Sequence, residues 1–236
     1  MTNDAPNLDD RFAPVERLAD PLPQSPMPTV LAWWDRACTE RHTPNPHSFV
    51  LSTVDPDGAP SSRVVLCKHL DQDGYVVFYS NYDSAKGRSL AVNPVAAASF
   101  HWDHLERAIR VVGSVVKSPE GESDAYFATR PWESKIGAWA SRQSEPIGSR
   151  DELLAQVLDS MIEHGVDPLA VEEGATDVEV PRPPFWGGYR LWAERIEVWA
   201  GGPGRVHDRA VWTRSLARAG EFAYETGPWS VSRLQP

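Results

Sequence analysis

Between Phe49 and Ser80 the apolar and polar positions fall into three short β-rich runs, Phe49–Val54, Arg63–Lys68 and Tyr75–Ser80. Asp55-Pro-Asp-Gly58 and Asp71-Gln-Asp-Gly74 separate them, and both are strong turn sequences, so the spacing predicts a three-stranded antiparallel meander. Further strands are expected over Val95–Trp102 and Arg107–Lys117, with closing strands over Gly188–Trp199, Arg209–Thr213 and Trp229–Arg233. Helical spacing interrupts this pattern. Val30, Leu31, Trp34 and Ala37 place a helix over 28–40, and Ser84–Asn93 reads as a short helix stopped by Pro94. Ser118-Pro119 opens another by N-cap and N1-proline logic. Ser149-Arg-Asp-Glu152 is a capping box, after which Leu153, Leu154, Val157, Leu158, Met161 and Ile162 form one apolar stripe up to Gly165.

The proline-rich residues 1–27 show little periodicity and read as an extended N-terminal arm before a single domain over 28–236. Residues 166–184, acidic and rich in proline, read as a surface insertion, because strand-like sequence resumes after them. At least seven short strands at hairpin spacing, with helices between them, predict a mainly β (α+β) fold, an antiparallel barrel with helical additions. Tight turns between the first strands argue against a parallel sheet, whose neighbours need long crossovers.

Composition narrows the class. The 236 residues are 41% hydrophobic and 24% charged, as in a folded globular chain. No apolar run approaches the roughly 18 residues of a membrane span. The acidic N-terminus lacks the basic and apolar regions of a signal peptide, so a cytoplasmic location is expected. Cys38 and Cys67 are too few for a disulfide scaffold or a cysteine zinc site; reduced thiols and no metal are expected. The net charge of −10 argues against nucleic acid and anionic membranes as partners. The charge is unevenly spread: residues 151–180 hold nine acidic residues and no Lys or Arg, whereas 181–236 hold eight basic and five acidic. Anion-binding chemistry is therefore sought in 63–150 and 181–236.

The chain lacks Gly-x-Ser-x-Gly, a Walker loop, His-Glu-x-x-His and a Gly-x-Gly-x-x-Gly after a strand, which removes most support for hydrolase and nucleotide-triphosphatase readings. What remains is cations beside hydroxyls and aromatics. Arg63 and Lys68 bracket one strand and face opposite sides by alternation, either as contacts to two ligand groups or as solvated strand ends. Lys86 and Arg88 sit at a helix start after Ser80 and Ser84, where free N–H groups favour a phosphate. Tyr126, Arg130 and Ser134 recur every four residues, as grips on one helical face or as an exposed helix end, with Pro131 arguing against one continuous helix. After the glycine-rich turn at 201–204, Arg205, His207 and Arg209 alternate along a predicted strand and share a face, an arrangement that favours an anionic or polar ligand.

An ordered set of motifs resembles the pyridoxamine 5′-phosphate oxidase family. They are Arg63-Val-Val-Leu-Cys-Lys68, Phe78-Tyr-Ser-Asn81, Arg130-Pro-x-x-Ser134-x-Ile-Gly-Ala-Trp139, Ser141-Arg-Gln-Ser144, Phe185-Trp-Gly-Gly188, Trp199 to Arg209 and Arg233-Leu-Gln-Pro236. The resemblance runs from about residue 28 to the C-terminus. It implies an FMN-binding split β-barrel acting as a homodimer with flavins at the subunit interface. It also implies oxidation of pyridoxine or pyridoxamine 5′-phosphate to pyridoxal 5′-phosphate, with O2 as acceptor and H2O2 released. By the same resemblance Arg63, Tyr79, Ser80 and Lys86 grip FMN, and Val64, Val65, Leu66, Cys67 and Lys68 run along it. Gln143, Ser144, Trp199 and Arg209 add FMN contacts, some from the second subunit. Lys68, Tyr126, Arg130 and Ser134 hold the substrate phosphate, and Arg205 and His207 act catalytically at its pyridine ring. The family's usual arginine and glutamine beside FMN fall at Ala85 and Ala108, and the arm lacks an Arg-x-x-Tyr pattern. The alternatives are a related FMN oxidase of the phenazine-biosynthesis type and a split-barrel protein that binds flavin or vitamin phosphate without turnover.

Overall fold

The computed structural model describes residues 8–14, 16–167 and 179–236. Its strands are β1 (Ser48–Val54), β2 (Pro60–Leu66), β3 (His69–Leu70), β4 (Tyr75–Asn81), β5 (Val95–Trp102), β6 (Arg107–Lys117), β7 (Trp186–Ala200), β8 (Asp208–Thr213), β9 (Leu216–Arg218), β10 (Tyr224–Thr226) and β11 (Ser230–Leu234). The helices are α1 (Leu8–Arg11), α2 (Met27–Glu40), α3 (Ala85–Val92), α4 (Glu120–Ala128), α5 (Trp132–Ala140) and α6 (Arg150–Glu163).

The main sheet is antiparallel and runs β11-β8-β7-β6-β5-β1-β2, with β4 pairing β7 and β3 off that path. β7 is its spine. The first part of β7, Trp186–Trp192, pairs with β4, its second part, Arg195–Ala200, pairs with β8, and β6 follows both. The change of partner coincides with a bulge between Val112 and Gly113. Only glycine fits there, since a Cβ on Gly113 would lie 1.9 Å from the Trp192 carbonyl oxygen.

β2 and β4 meet at the seam of the curled sheet without forming a ladder with each other. The seam is closed at one end, where β3 pairs with β4 and the Lys68 N–H donates to the Val77 carbonyl at 2.8 Å. It is open along β2, an edge strand of the hydrogen-bonded order. The expected three-stranded meander is thus corrected: the β1–β2 hairpin forms, but β4 is held by β7 and β3. The split barrel itself stands. Phe49, Leu51, Phe78, Phe100, Ile109, Leu191, Ile196 and Trp212 fill its interior, each burial stabilising by about 1.5–3 kcal/mol.

The arm is not a free extension over its described part. Leu18 is buried, the Trp212 indole donates to the Pro23 carbonyl at 2.9 Å, and Glu16 pairs with the buried Arg107. Residues 1–7 and 15 of the arm, and 168–178 of the acidic insertion, lie outside the described residues. In α2 it is Trp33, rather than Trp34, that is fully buried. Pro119, not Ser118, occupies the cap position of α4, and no side chain caps that helix. Ser149 does cap α6, accepting the Glu152 N–H at 3.0 Å. The expected stripe on α6 divides: Met161 packs with Ile136, Val166 and Val180, while Leu154, Leu158 and Ile162 remain exposed.

Candidate active site

Along the open seam, Arg63–Leu66 of β2 and Tyr79–Asn81 of β4 border a cavity of about 870 Å³, with residues from the start of α3 and from α4 and α5 completing its walls. Two groups of cations reach it.

The first centres on Lys86. α3 is capped by Ser84, and Gly87 lets its first turn press against the preceding chain, because a Cβ there would sit 1.9 Å from the Tyr82 carbonyl oxygen. That turn carries Lys86 into the interior, where it is only 7% exposed. Its ammonium donates to Ser80 Oγ (2.8 Å), Ser84 Oγ (2.9 Å) and Gln143 Oε1 (2.8 Å), all neutral oxygens. Among the described residues no carboxylate pairs with it. Burial, with the Arg63 charge adding to it, pulls the ammonium down to about 8. Arg63 is likewise tied to neutral acceptors, donating to Thr53 Oγ1 (2.8 Å) and Ser61 Oγ (2.7 Å), and burial lowers its pKa. A buried ammonium with no carboxylate partner among the described residues, beside a second half-buried cation whose charge Asp55 offsets only in part, creates a demand for an anion.

The second group centres on Arg130. Pro131 breaks the chain into α4 and α5, as the sequence suggests, yet Tyr126, Arg130 and Ser134 all line the same cavity, together with Lys68. The Arg130 guanidinium lies over Trp186 (4.7 Å) and Phe127 (5.2 Å). Its Nη1 is buried and finds no hydrogen-bond partner among the described residues, and burial lowers its pKa. Tyr79 stacks on Tyr126 at 4.0 Å, and burial pushes its hydroxyl up to about 12, so it stays a neutral donor. Arg63 and Lys68 both reach the cavity despite the alternation rule, because β2 ends at Leu66 between them.

Val64, Val65, Leu66, Gln143 and Ser144 also line the cavity, Ser144 in a left-handed backbone conformation (φ 77°). Cys67 does not. It packs in the core, its thiol donates to the His69 carbonyl at 3.3 Å, and burial pushes it up to about 12.

Trp199, Arg205, His207 and Arg209 lie elsewhere. They cluster at the far end of β7, roughly 40 Å of strand beyond Trp186 at the cavity wall. The expectation that Arg205, His207 and Arg209 alternate on one strand is corrected. Arg205 ends a 3₁₀ turn at φ 65°, His207 precedes β8, and only Arg209 is in the strand, paired in register with Trp199. His207 Nδ1 accepts the Gly202 N–H at 3.1 Å and its ring packs on Trp199 at 4.6 Å. The imidazole is thereby oriented with Nε2 available. Ala108 sits beside this cluster as the register partner of Trp199, whereas Ala85 lines the cavity.

Two residues escaped the sequence reading. Trp186, the aromatic floor under Arg130, stood within a quoted motif but carried no role. Glu197, buried against Arg110, Arg195 and Arg209, left one signal, a carboxylate flanked directly by Ile196 and Val198 near the end of a strand rich in apolar residues. Burial alone would raise the Glu197 pKa; the Arg209 hydrogen bonds and the three positive charges outweigh it and hold the carboxylate below its usual range.

Fold and cavity together define a split-barrel protein with two separate anchors for anionic groups. Residues 38–159 match the family model described as pyridoxamine 5′-phosphate oxidase. Residues 186–236 match the pyridoxine 5′-phosphate oxidase C-terminal dimerisation region. The chain is 45% identical over 203 residues to a pyridoxine/pyridoxamine 5′-phosphate oxidase of Paraburkholderia xenovorans, covering 86% of this chain and 85% of that one. It is 44% identical over 219 residues to the oxidase of the same name from Anaeromyxobacter dehalogenans, covering 92% and 100%. The chain belongs to the pyridoxamine 5′-phosphate oxidase family, a family of FMN-dependent oxidases. Among solved structures it resembles PhzG from Burkholderia lata in complex with tetrahydrophenazine-1-carboxylic acid, with TM-score 0.75 and 29% identity over 92% of this chain and 95% of that one. A pyridoxamine 5′-phosphate oxidase-related, FMN-binding protein from Nostoc punctiforme shares the fold, with TM-score 0.63 and 14% identity over 90% and 98%.

Proposed function

We propose that the chain is an FMN-dependent oxidase that converts pyridoxamine or pyridoxine 5′-phosphate to pyridoxal 5′-phosphate, with O2 as acceptor and H2O2 as co-product. The observation that carries this is one cavity with two cationic anchors, one around Lys86, whose ammonium meets only neutral oxygens, and one around Arg130. A phosphorylated flavin and a phosphorylated substrate bring two phosphates.

The residues present fit FMN. Lys86, which meets only neutral oxygens, and Arg63 accommodate its phosphate, with Ser80, Gln143 and Ser144 beside them. The open edge of β2 offers the Val64–Leu66 backbone to a flat heterocycle. Bound there, FMN supplies the hydride acceptor and passes the electrons to O2. Lys68, Tyr126, Ser134 and the orphaned Nη1 of Arg130 take the substrate phosphate. This grip fixes the substrate at one end, so that binding energy at a non-reacting group orients the reacting carbon.

A second copy of the chain completes the site. Val50, Val64, Val95 and Val112 leave the outer face of the barrel sheet 41%, 67%, 46% and 42% exposed, an apolar surface suited to a partner. Trp199, Arg205, His207 and Arg209 do not line the cavity of their own chain. In the homodimer they reach the partner's, where Arg205 and His207 set the tilt and local charge of the pyridine ring. The amine substrate additionally consumes water and releases ammonia; the alcohol does not.

The resemblance to PhzG favours a second reading, an FMN oxidase acting on a phenazine precursor. Anaerobic mixing of the FMN-loaded protein with pyridoxamine 5′-phosphate separates the two. Bleaching of the visible flavin band that reverses on admitting air is expected. Yellow protein that bleaches only with a reduced phenazine carboxylic acid supports the second reading instead.

A further inference from the structure

Glu197 lies in the middle of β7 and is 5% exposed. Arg209 donates to its Oε1 through both Nη2 (2.6 Å) and Nε (3.2 Å). Arg110 Nη1 donates to the same oxygen at 3.2 Å, and Arg195 Nη2 donates to Oε2 at 3.4 Å. The remaining corner of the Arg209 fork, Nη1, donates to the Gln235 carbonyl at 2.9 Å. The guanidinium is therefore fixed from two sides, by a buried carboxylate and by the C-terminal backbone. Arg110 and Arg195 are about half exposed, while Arg209 is 22% exposed, so the short bidentate contact falls on the most enclosed of the three. One carboxylate against three arginines also leaves this face net positive. Arg209 is the register partner of Trp199, which places the held guanidinium beside the cluster that the second copy presents.

We propose that Glu197 is a positioning residue: it holds Arg209 in the orientation in which Arg209 meets the FMN bound by the other subunit. This rests on the dimeric, FMN-binding reading above. An arginine with five donors and four rotatable bonds gains affinity for a planar acceptor when its orientation is set before binding, and a single lysine-like point charge would not need the bidentate hold.

The test is a double-mutant cycle on the purified dimer, with FMN affinity read from quenching of flavin fluorescence. Wild type, Glu197→Gln, Arg209→Gln and the double variant are compared, and sedimentation velocity reports the dimer in each. Glu197→Gln is expected to weaken FMN binding about tenfold, within the range of coupled neighbours. The double variant is expected to bind FMN no more weakly than Arg209→Gln alone. Additive losses overturn the proposal, as does a Glu197→Gln dimer that loses thermal stability and keeps wild-type FMN affinity, the signature of a merely structural residue. If Arg209→Gln binds FMN as wild type does, Arg209 is not a cofactor contact and the proposal falls, although flavin bleaching by wild type would still uphold the oxidase reading. Should Glu197→Gln not fold, Glu197→Asp runs the same cycle, because its shorter carboxylate keeps the charge and withdraws the bidentate contact.

Discussion

Removing the charge of Lys86 tests the anchor on which the proposed cofactor site depends. In the flavin-free protein the ammonium is buried among neutral oxygens and titrates at about 8 instead of 10.5. That depression corresponds to about 3 kcal/mol of folding stability forfeited while the group is charged. The sign follows from proton binding. Between about 8 and 10.5 the unfolded chain keeps the lysine proton and the folded chain has released it, so stability rises with pH across this window. Below about 8 both states are protonated and the full penalty applies. Bound FMN reverses the balance, because its phosphate favours the ammonium. Urea unfolding of flavin-free wild type from pH 7 to 10 is therefore expected to show a gain of about 2.5 kcal/mol that FMN flattens. Lys86→Met should lose that gain, be more stable than wild type at pH 7, and bind FMN at least about 100-fold more weakly. Parallel stability curves for wild type and Lys86→Met, or unchanged FMN affinity in the variant, would refute the reasoning.

Arg130→Ala should raise KM for pyridoxamine 5′-phosphate by about 10- to 100-fold with little change in kcat, as steady-state kinetics would show. Arg205→Ala or His207→Ala should lower turnover about 100-fold while the protein remains yellow; wild-type turnover in either would remove that residue from the site. Val64→Asp puts a charge on the exposed valine face, and sedimentation should report monomers that have lost FMN. Gly113→Ala forces a Cβ against the Trp192 carbonyl and should cost about 2–3 kcal/mol, read as a lower urea midpoint; an unchanged midpoint would mean that the bulge relaxes freely.

Much of the local structure was legible because it depends on neighbours in sequence. The Asp-Pro-Asp-Gly and Asp-Gln-Asp-Gly turns, the Ser149 cap and the limits of β5 and β6 follow from alternation and capping alone. Helix interiors were less secure: α2 turns Trp33 rather than Trp34 into the core, a choice made by the surface that the helix packs against. The cation groups of the cavity were visible in part, since Lys86 at a helix start and the Tyr126, Arg130, Ser134 spacing each point to an anion. The Arg205, His207, Arg209 alternation misled, because the glycine-rich turn extends through Arg205 and strand periodicity begins only at Asp208.

By itself the sequence determined an antiparallel β-rich chain with inserted helices, and through its ordered motifs the family and the residues that could meet two phosphates. Tertiary structure decided that β4 pairs with β7 rather than with β2, and this opens the seam that becomes the cavity. It also decided that Lys86 is buried without a counter-ion, that Cys67 faces the core, and that Glu197 gathers three arginines. The reason is common to all of them. Alternation and capping are fixed within a few residues, whereas strand partners, desolvation and ion pairing depend on segments brought together from distant parts of the chain.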